Sequence, residues 1–214
     1  MNIVNIIKTI KRIFFYKISS TKRYSEILIK ALFASPKNIL EIGVYTGRRS
    51  IEIMDAATIF KNQISYYGFD LFEDISEIKI KDELSKKPES QKIIYKKLKK
   101  THRQIKLIKG DTLKTLKKIK KKKKFDLIFI DGGHSVKTIE SDWSNCIKFL
   151  SKNGIVILDD YYTGNKKVIK KFGCNNLINK IKNNYSVTYS NHTDYFPDKN
   201  YGIKLVYVKN LNFR

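Results

Sequence analysis

The sequence predicts an α/β fold in which helices cover both faces of a doubly wound, mostly parallel sheet. Residues 127–130 and 155–158 are continuous apolar runs without polar alternation, as expected of buried parallel strands. Each run ends abruptly in acidic residues, which is typical of strands that deliver polar side chains to a ligand site. Residues 38–44 form a third strand-like segment, and the two glycines and the helix that follow predict a turn where the backbone can approach a ligand.

The composition indicates a single basic domain. The chain has 214 residues, enough for one substantial core, and a formal net charge of +24. Lysine outnumbers arginine 38 to 6, which favours codon bias over selection for nucleic acid, because arginine is preferred in bidentate phosphate contacts. Cys146 and Cys174 lack a metal-binding or redox spacing, and neither a signal peptide nor an apolar run of roughly 18 residues is recognised. We therefore expect a reduced, cytoplasmic protein.

An N-terminal helical extension, residues 1–35, is expected to precede a domain that spans residues 36–214. Isoleucines and phenylalanines recur at helical spacing over residues 2–18 with lysines between them, which predicts a basic amphipathic helix. Three roles stay open for it: peripheral contact with an anionic membrane, packing over the sheet, or a homodimer contact. A second helix is expected over residues 21–33.

The remaining elements alternate between strands and helices. A charged insertion at residues 73–103 is interpreted as either a lid or a solvated connection, and residues 117–124 are almost entirely lysine. The polar and aromatic loop at 191–197 is either a substrate edge or a hairpin connection. Further strands are expected at 64–69, 105–109, 186–190 and 203–208, with one continuous helix between residue 164 and the last pair.

Acidic residues follow most of the predicted strands. Ligands of open α/β sheets bind outside the carboxyl ends of the strands, so these acids are expected to share one site. Asp70 ends the second strand of a βαβ unit, where a carboxylate can accept hydrogen bonds from both hydroxyls of a ribose. Asp131 and His134 are the first candidates for reactive groups, because they follow the most apolar strand across two glycines.

These motifs together resemble the class I S-adenosylmethionine (SAM)-dependent methyltransferases, which have a Rossmann-like sheet with an antiparallel terminal strand. The resemblance covers residues 36–208. The glycine loop Glu-Ile-Gly-Val-Tyr-Thr-Gly at 41–47 is similar to the metal-dependent O-methyltransferases of the catechol type. The motifs Phe-Ile-Asp-Gly-Gly-His-Ser at 129–135 and Leu-Asp-Asp-Tyr at 158–161 are similar to the type that methylates sugars of macrolides.

The resemblance implies a role for each matching residue. It implies SAM and a Mg²⁺ ion, with His134 as the proton acceptor and Asp131 as a catalytic group that also borders the cofactor. Arg48 and Arg49 depart from the small residues usual after the second glycine, so the carboxylate end of the cofactor is expected to be held differently. The implied metal ligands are Asp131, Asp159 and Asp160. The implied cofactor contacts are Glu41, Gly43, Tyr45 and Gly47 for methionine, Asp70 for ribose, and Asp111 with Thr112 for adenine.

The expected function is therefore Mg²⁺-dependent O-methylation of a vicinal diol, such as a sugar of a glycan or a glycosylated metabolite. A divalent cation held by carboxylates can bind two adjacent hydroxyls and lower the pKa of one of them. One alternative is an RNA or protein methyltransferase that uses the basic surface; against it, strand four ends in Asp-Gly-Gly-His rather than the Asn/Asp-Pro-Pro-aromatic motif of base methylation. Another is a non-catalytic module that binds a polyanion or a membrane.

Overall fold

The structure, a computed structural model, describes residues 2–60, 63–102 and 104–211. Within these residues, eight strands form one sheet. The strands are β1 (Asn38–Ile42), β2 (Ser65–Asp70), β3 (Gln104–Lys109), β4 (Phe125–Ile130), β5 (Leu150–Gly164), β6 (Tyr185–Tyr189), β7 (Asp194–Phe196) and β8 (Tyr201–Asn210). Their order is β3-β2-β1-β4-β5-β8-β6, and β7 pairs with β8. β1 to β5 are mutually parallel and β8 runs antiparallel to its neighbours, which confirms the predicted sheet.

Helices cover both faces of this sheet. They are α1 (Ile3–Ile18), α2 (Arg23–Ala34), α3 (Arg48–Ala57), α4 (Glu77–Asp82), α5 (Gln91–Lys99), α6 (Thr112–Thr115), α7 (Val136–Cys146), α8 (Lys166–Lys171) and α9 (Asn175–Ile181). Alternate residues of β4 face opposite sides of the sheet. Leu127 and Phe129 pack on the side covered by α2, α3 and α5. Ile128 and Ile130 pack on the side covered by α7 and α9. These residues are almost entirely buried, so the apolar run predicts a strand covered on both faces correctly.

The N-terminal helices share the core of the sheet. Ile27, Leu28 and Ala31 of α2 are fully buried in the same cluster as the β1 and β4 side chains. α1 packs on α2 and α3. The domain boundary at residue 35 stays a prediction. No helix in the described part of the chain combines the length and the apolarity that crossing a bilayer requires.

The prediction of one continuous helix after residue 164 is wrong. The helix is interrupted between α8 and α9 at Gly173, which has a φ of +86°. A Cβ at this glycine would lie 2.4 Å from the carbonyl oxygen of Asp160, and its N–H donates to the carbonyl oxygen of His134 at 2.8 Å. The backbone of Gly173 therefore approaches Asp160 of β5 so closely that the helix ends here. The loop at 191–197 also contains an unforeseen short strand, β7.

Candidate active site

A cavity of about 610 Å³ opens at the carboxyl ends of the parallel strands. Its volume is in the range of cofactor and small-molecule pockets. Most of the predicted site residues line it, which agrees with the expectation that strand-end acids share one site. Those in the lining are Gly43, Tyr45, Asp70, Asp111, Thr112, Asp131 and His134. Glu41, Gly47, Asp159 and Asp160 are not in the lining.

Asp70 organises the glycine loop between β1 and α3. Its Oδ2 accepts the N–H groups of Val44 and Tyr45 at 2.8 and 2.9 Å. Gly43 has a φ of +89°, and a Cβ there would lie only 1.9 Å from the carbonyl oxygen of Asp131. The loop is thus pressed against the end of β4 at a point that only glycine fits. Asp70 Oδ1 accepts the N–H of Phe72 at 3.0 Å, so of the about four acceptor sites of an ionised carboxylate one is left for a ribose hydroxyl.

Glu41 and Gly47 are the two ends of the glycine loop, in β1 and at the start of α3. Gly47 caps the start of α3 with a φ of +73°, and a Cβ there would lie 3.1 Å from the side chain of Ile94. Glu41 is fully buried; its Oε2 accepts hydrogen bonds from Ser50 and Tyr66, and its Oε1 has no partner among the described residues. Burial raises the pKa of Glu41 to about 7. Contact of either residue with the methionine part of SAM stays a prediction.

Glu41→Gln should remove a pH dependence of stability. A carboxyl whose pKa rises from 4.5 to about 7 on folding stabilises the protein below pH 4.5, and this contribution is lost as the pH rises through 7. Relative to the variant, the free energy of unfolding of the wild type should fall by about 2 to 3 kcal/mol between pH 5 and pH 8. Urea unfolding at both pH values measures it. The exposed Glu77→Gln is the matched control, and an equal pH slope in wild type and Glu41→Gln would contradict the burial effect.

The predicted adenine end contains a residue that sequence reasoning missed. Asp111 caps α6 by accepting the N–H of Leu113 at 2.9 Å, and Thr112 Oγ1 donates to Asp142 Oδ1 at 2.5 Å. Burial raises the pKa of Asp142 to about 7. The signal was present in the sequence as a polar stripe over residues 135–142, because Ser135, Thr138, Ser141 and Asp142 recur at helical spacing, and all four line the cavity.

Part of the 73–103 insertion lines the cavity, and its role as a lid stays a prediction. α4 and the segment that follows it contribute cavity-lining residues from Ile75 to Pro88. Glu83 is buried and accepts hydrogen bonds from the N–H of Ser135 at 2.8 Å and from its hydroxyl at 3.1 Å. The insertion is thereby fastened to the first turn of α7.

Asp131, His134 and Asp160 converge on one wall of the cavity. One ligand atom from each lies within 4.8 Å of the other two. A register shift between Leu158 and Tyr161 bends β5 here, and Asp160 adopts a φ of +61°, a strained value for a non-glycine residue. Its Oδ2 lies 3.3 Å from His134 Nε2. Burial raises the pKa of Asp160 to about 6, and burial with the charges of Asp159 and Asp160 raises the pKa of Asp131 well above its usual range.

Asp159 is directed away from this cluster. Arg23 of α2 donates from Nε to Asp159 Oδ1 at 2.9 Å and from Nη2 to Oδ2 at 3.0 Å, and the Tyr24 hydroxyl donates to Oδ2 at 3.2 Å. Burial opposes ionisation, but the Arg23 guanidinium holds the pKa of Asp159 below its usual value. Arg23 also pairs with the buried Asp194 of β7. A role for Asp159 as a metal ligand stays a prediction.

The site is rich in acid relative to its cations. Among the described residues, four carboxylates, those of Asp131, Asp159, Asp160 and Asp194, lie near two largely buried guanidiniums. Arg23 pairs with Asp159 and Asp194, and Arg49 pairs with Glu52, so Asp131 and Asp160 have no arginine partner in an ion pair within the described part of the chain. Like charges in a buried site repel unless a cation compensates them. The two carboxylates and one imidazole of the converging cluster are a donor set that a divalent cation fits.

A known family model matches this chain. Residues 40–161 match a family described as a methyltransferase domain, and this match spans the glycine loop, the 73–103 insertion, β4 and the acidic pair of β5. The chain belongs to this family. It is a class I SAM-dependent methyltransferase, which decides against the non-catalytic alternative. None of the curated protein sequences matches the methyltransferase.

Solved structures share the fold of the methyltransferase. TomG, an O-methyltransferase from Streptomyces achromogenes involved in tomaymycin synthesis and solved with SAM, is 15% identical with a TM-score of 0.61, and the match covers 98% of this chain and 92% of that one. An O-methyltransferase from Bacillus cereus with S-adenosylhomocysteine is 15% identical, with a TM-score of 0.59 and coverage of 98% and 92%. The N-methyltransferase NodS from Bradyrhizobium japonicum WM9 is 14% identical, with a TM-score of 0.60 and coverage of 89% and 87%. The fold thus does not decide the acceptor atom.

Proposed function

We propose that this methyltransferase is a Mg²⁺-dependent O-methyltransferase whose acceptor is a vicinal diol, such as a sugar of a glycan or a glycosylated metabolite. The convergence of Asp131, His134 and Asp160 at the wall of the SAM cavity carries the proposal. The glycine loop, which we expect to contact SAM, borders the same cavity as Asp131 and His134, so an acceptor hydroxyl there would face the methyl donor. TomG and the Bacillus cereus protein are O-methyltransferases, so O-methylation is compatible with this fold.

Asp131 and Asp160 are the residues that would hold the cation. When bound there, Mg²⁺ would supply positive charge that lowers the pKa of a hydroxyl and would orient two adjacent oxygens. The carboxylates contribute hard oxygen donors, and their excess over the buried guanidinium of Arg23 supplies the attraction for a cation. Asp159, whose oxygens face Arg23, is assigned the role of anchoring α2 to β5.

His134 is assigned as the base. Methyl transfer from a sulfonium to an alcohol forms a C–O bond and breaks a C–S bond, and the hydroxyl proton must leave as the new bond forms. His134 lines the cavity and carries Nε2 beside Asp160 Oδ2 at 3.3 Å. The imidazolium formed by accepting the proton would be stabilised by that carboxylate.

A small acceptor fits the charge distribution better than RNA. The lysine run at 117–124 ends where β4 begins, whereas the site follows the end of β4. Six strand residues separate them, a distance of about 20 Å. A nucleic acid held by these lysines would therefore lie at the amino ends of the parallel strands, whereas the cavity lies at their carboxyl ends.

Calorimetry with a minimal diol tests the proposal. The wild type should bind SAM with or without Mg²⁺, and catechol only with Mg²⁺, whereas phenol should bind poorly in both conditions. Asp160→Asn should keep SAM binding and weaken Mg²⁺-dependent catechol binding by at least about tenfold, because a ligand is lost. The exposed Asp198→Asn removes the same charge outside the site and should behave as wild type. Catechol binding that ignores Mg²⁺, or an unchanged Asp160→Asn variant, would overturn the metal site.

A further inference from the structure

Helix α1 is attached to the protein with its polar side inward. Asn5 Nδ2 donates to Thr58 Oγ1 at 2.8 Å, and Tyr16 OH donates to Glu52 Oε2 at 2.9 Å. Arg12 pairs with the buried Asp55 at 2.6 Å. Contacts near the start, the middle and the end of the helix therefore fix its rotation about its own axis.

The outward side of α1 is apolar. At 3.6 residues per turn, five side chains fall within an arc of about 80°. All are exposed, by 49 to 69% of their surface: Ile3, Ile7, Ile10, Phe14 and Ile18. This is the reverse of an ordinary surface helix, whose apolar stripe faces the core. Contiguous exposed apolar patches mark interaction sites.

Lysines border this apolar face on both sides. Lys17 lies along one edge, and Lys11 and Lys8 lie along the other, while α1 contains no acidic residue. A cavity of about 580 Å³ adjoins the Lys11 edge and is lined by Lys11, Arg12, Arg48 and Lys97, with Glu52 as its one acid. An apolar face bordered by cations is complementary to a surface that is apolar inside and anionic outside.

We propose that α1 is a docking surface for an anionic lipid bilayer. The five apolar side chains would enter the boundary between headgroups and acyl chains, and the flanking lysines would meet the headgroup phosphates. A second copy of the chain fits less well. Two α1 faces would bring lysines together without any acid to pair with them, and each copy carries a net charge of +24. The outward face needs no rearrangement to dock, since the polar contacts to α3 already hold it in place.

Vesicle sedimentation tests this surface independently of methyl transfer. The wild type should bind vesicles made of equal parts phosphatidylglycerol and phosphatidylcholine, and not vesicles of phosphatidylcholine alone. Ile7→Gln/Phe14→Gln should lower the bound fraction at least about tenfold. Lys11→Gln/Lys17→Gln should lower it by a similar factor at low salt, and the effect of the lysine variant should be weaker at high salt. These side chains are exposed, so the variants should keep the wild-type melting temperature.

Matched controls separate this surface from general stickiness. Ile78→Gln removes an equally exposed isoleucine from α4, and Lys152→Gln/Lys182→Gln removes two exposed lysines elsewhere. Both should bind vesicles as the wild type does. Equal losses in the controls, or no binding to anionic vesicles, would overturn the proposal. A dimer would also overturn it, if light scattering shows that the wild type is dimeric, that Ile7→Gln/Phe14→Gln is monomeric, and that neither protein binds vesicles. The apolar face of α1 would then bind a second copy of the chain.

Discussion

His134→Gln should lower kcat by about a hundredfold to ten-thousandfold, the usual contribution of a positioned general base. His134 lines the cavity at the carboxyl ends of the parallel strands, and its Nε2 lies 3.3 Å from Asp160 Oδ2, where an imidazolium would be stabilised. Glutamine keeps a polar side chain of similar reach but cannot accept the proton at neutral pH. Steady-state kinetics on a vicinal diol that the wild type methylates measures the loss, and calorimetry should show unchanged binding of SAM.

Two further measurements distinguish a base from a metal ligand at this position. Added imidazole should restore part of the activity of the variant, and Mg²⁺-dependent catechol binding should survive. Loss of that binding, without rescue, would make His134 a ligand of the cation instead. His192→Gln is the matched control, since His192 lies in the loop between β6 and β7 and should tolerate the change. A kcat near the wild-type value in His134→Gln would remove the histidine from the reaction.

The parts of the site that follow from local pattern were predictable. An apolar run followed by an acid identifies the end of a buried parallel strand, and neighbouring parallel strands end at the same edge. Asp131 and Asp160 therefore had to lie close together, and His134 had to lie beside them, because only two glycines separate it from Asp131. The same reasoning places Asp70 and Asp111 in the cavity lining.

The parts that depend on long-range pairing were not predictable. Asp159 and Asp160 are adjacent and chemically alike. They bind different partners because the register of β5 shifts between Leu158 and Tyr161 and Asp160 adopts a positive φ. Arg23 meets Asp159 across 136 residues of chain and is one of 44 basic residues, so no local signal marks it. Gly173 likewise reads as an ordinary helix breaker until its contact with Asp160 is seen.

Arg23→Met should destabilise the protein by about 3 to 5 kcal/mol, the usual cost of removing one partner of a buried ion pair. Arg23 is 5% exposed and binds two carboxylates that are almost fully buried, those of Asp159 and Asp194. Methionine fills a similar volume without a charge, so the two acids would lose their counter-ion. Urea unfolding at pH 7 measures the difference in the free energy of unfolding.

Arg48→Met provides the matched control. Arg48 is 65% exposed, and its partner Glu52 also binds Arg49 and Tyr16, so the loss should be no more than about 1 kcal/mol. A loss in Arg23→Met as small as in the control would show that the buried acids do not need the guanidinium. Arg23→Met/Asp194→Asn should recover part of the stability, because one of the two unpaired charges is removed.

The same variant shows whether Arg23 and a cation compete for Asp159. In the wild type both oxygens of Asp159 accept from Arg23, and the acids that converge with His134 are Asp131 and Asp160. Without the guanidinium, Asp159 is released into a site that already carries excess negative charge. Mg²⁺ should then raise the melting temperature of Arg23→Met by more than it raises that of the wild type, since binding to the folded state stabilises it by mass action. An equal or smaller Mg²⁺ effect in the variant would mean that Asp159 is an anchor for α2 and has no share in cation binding.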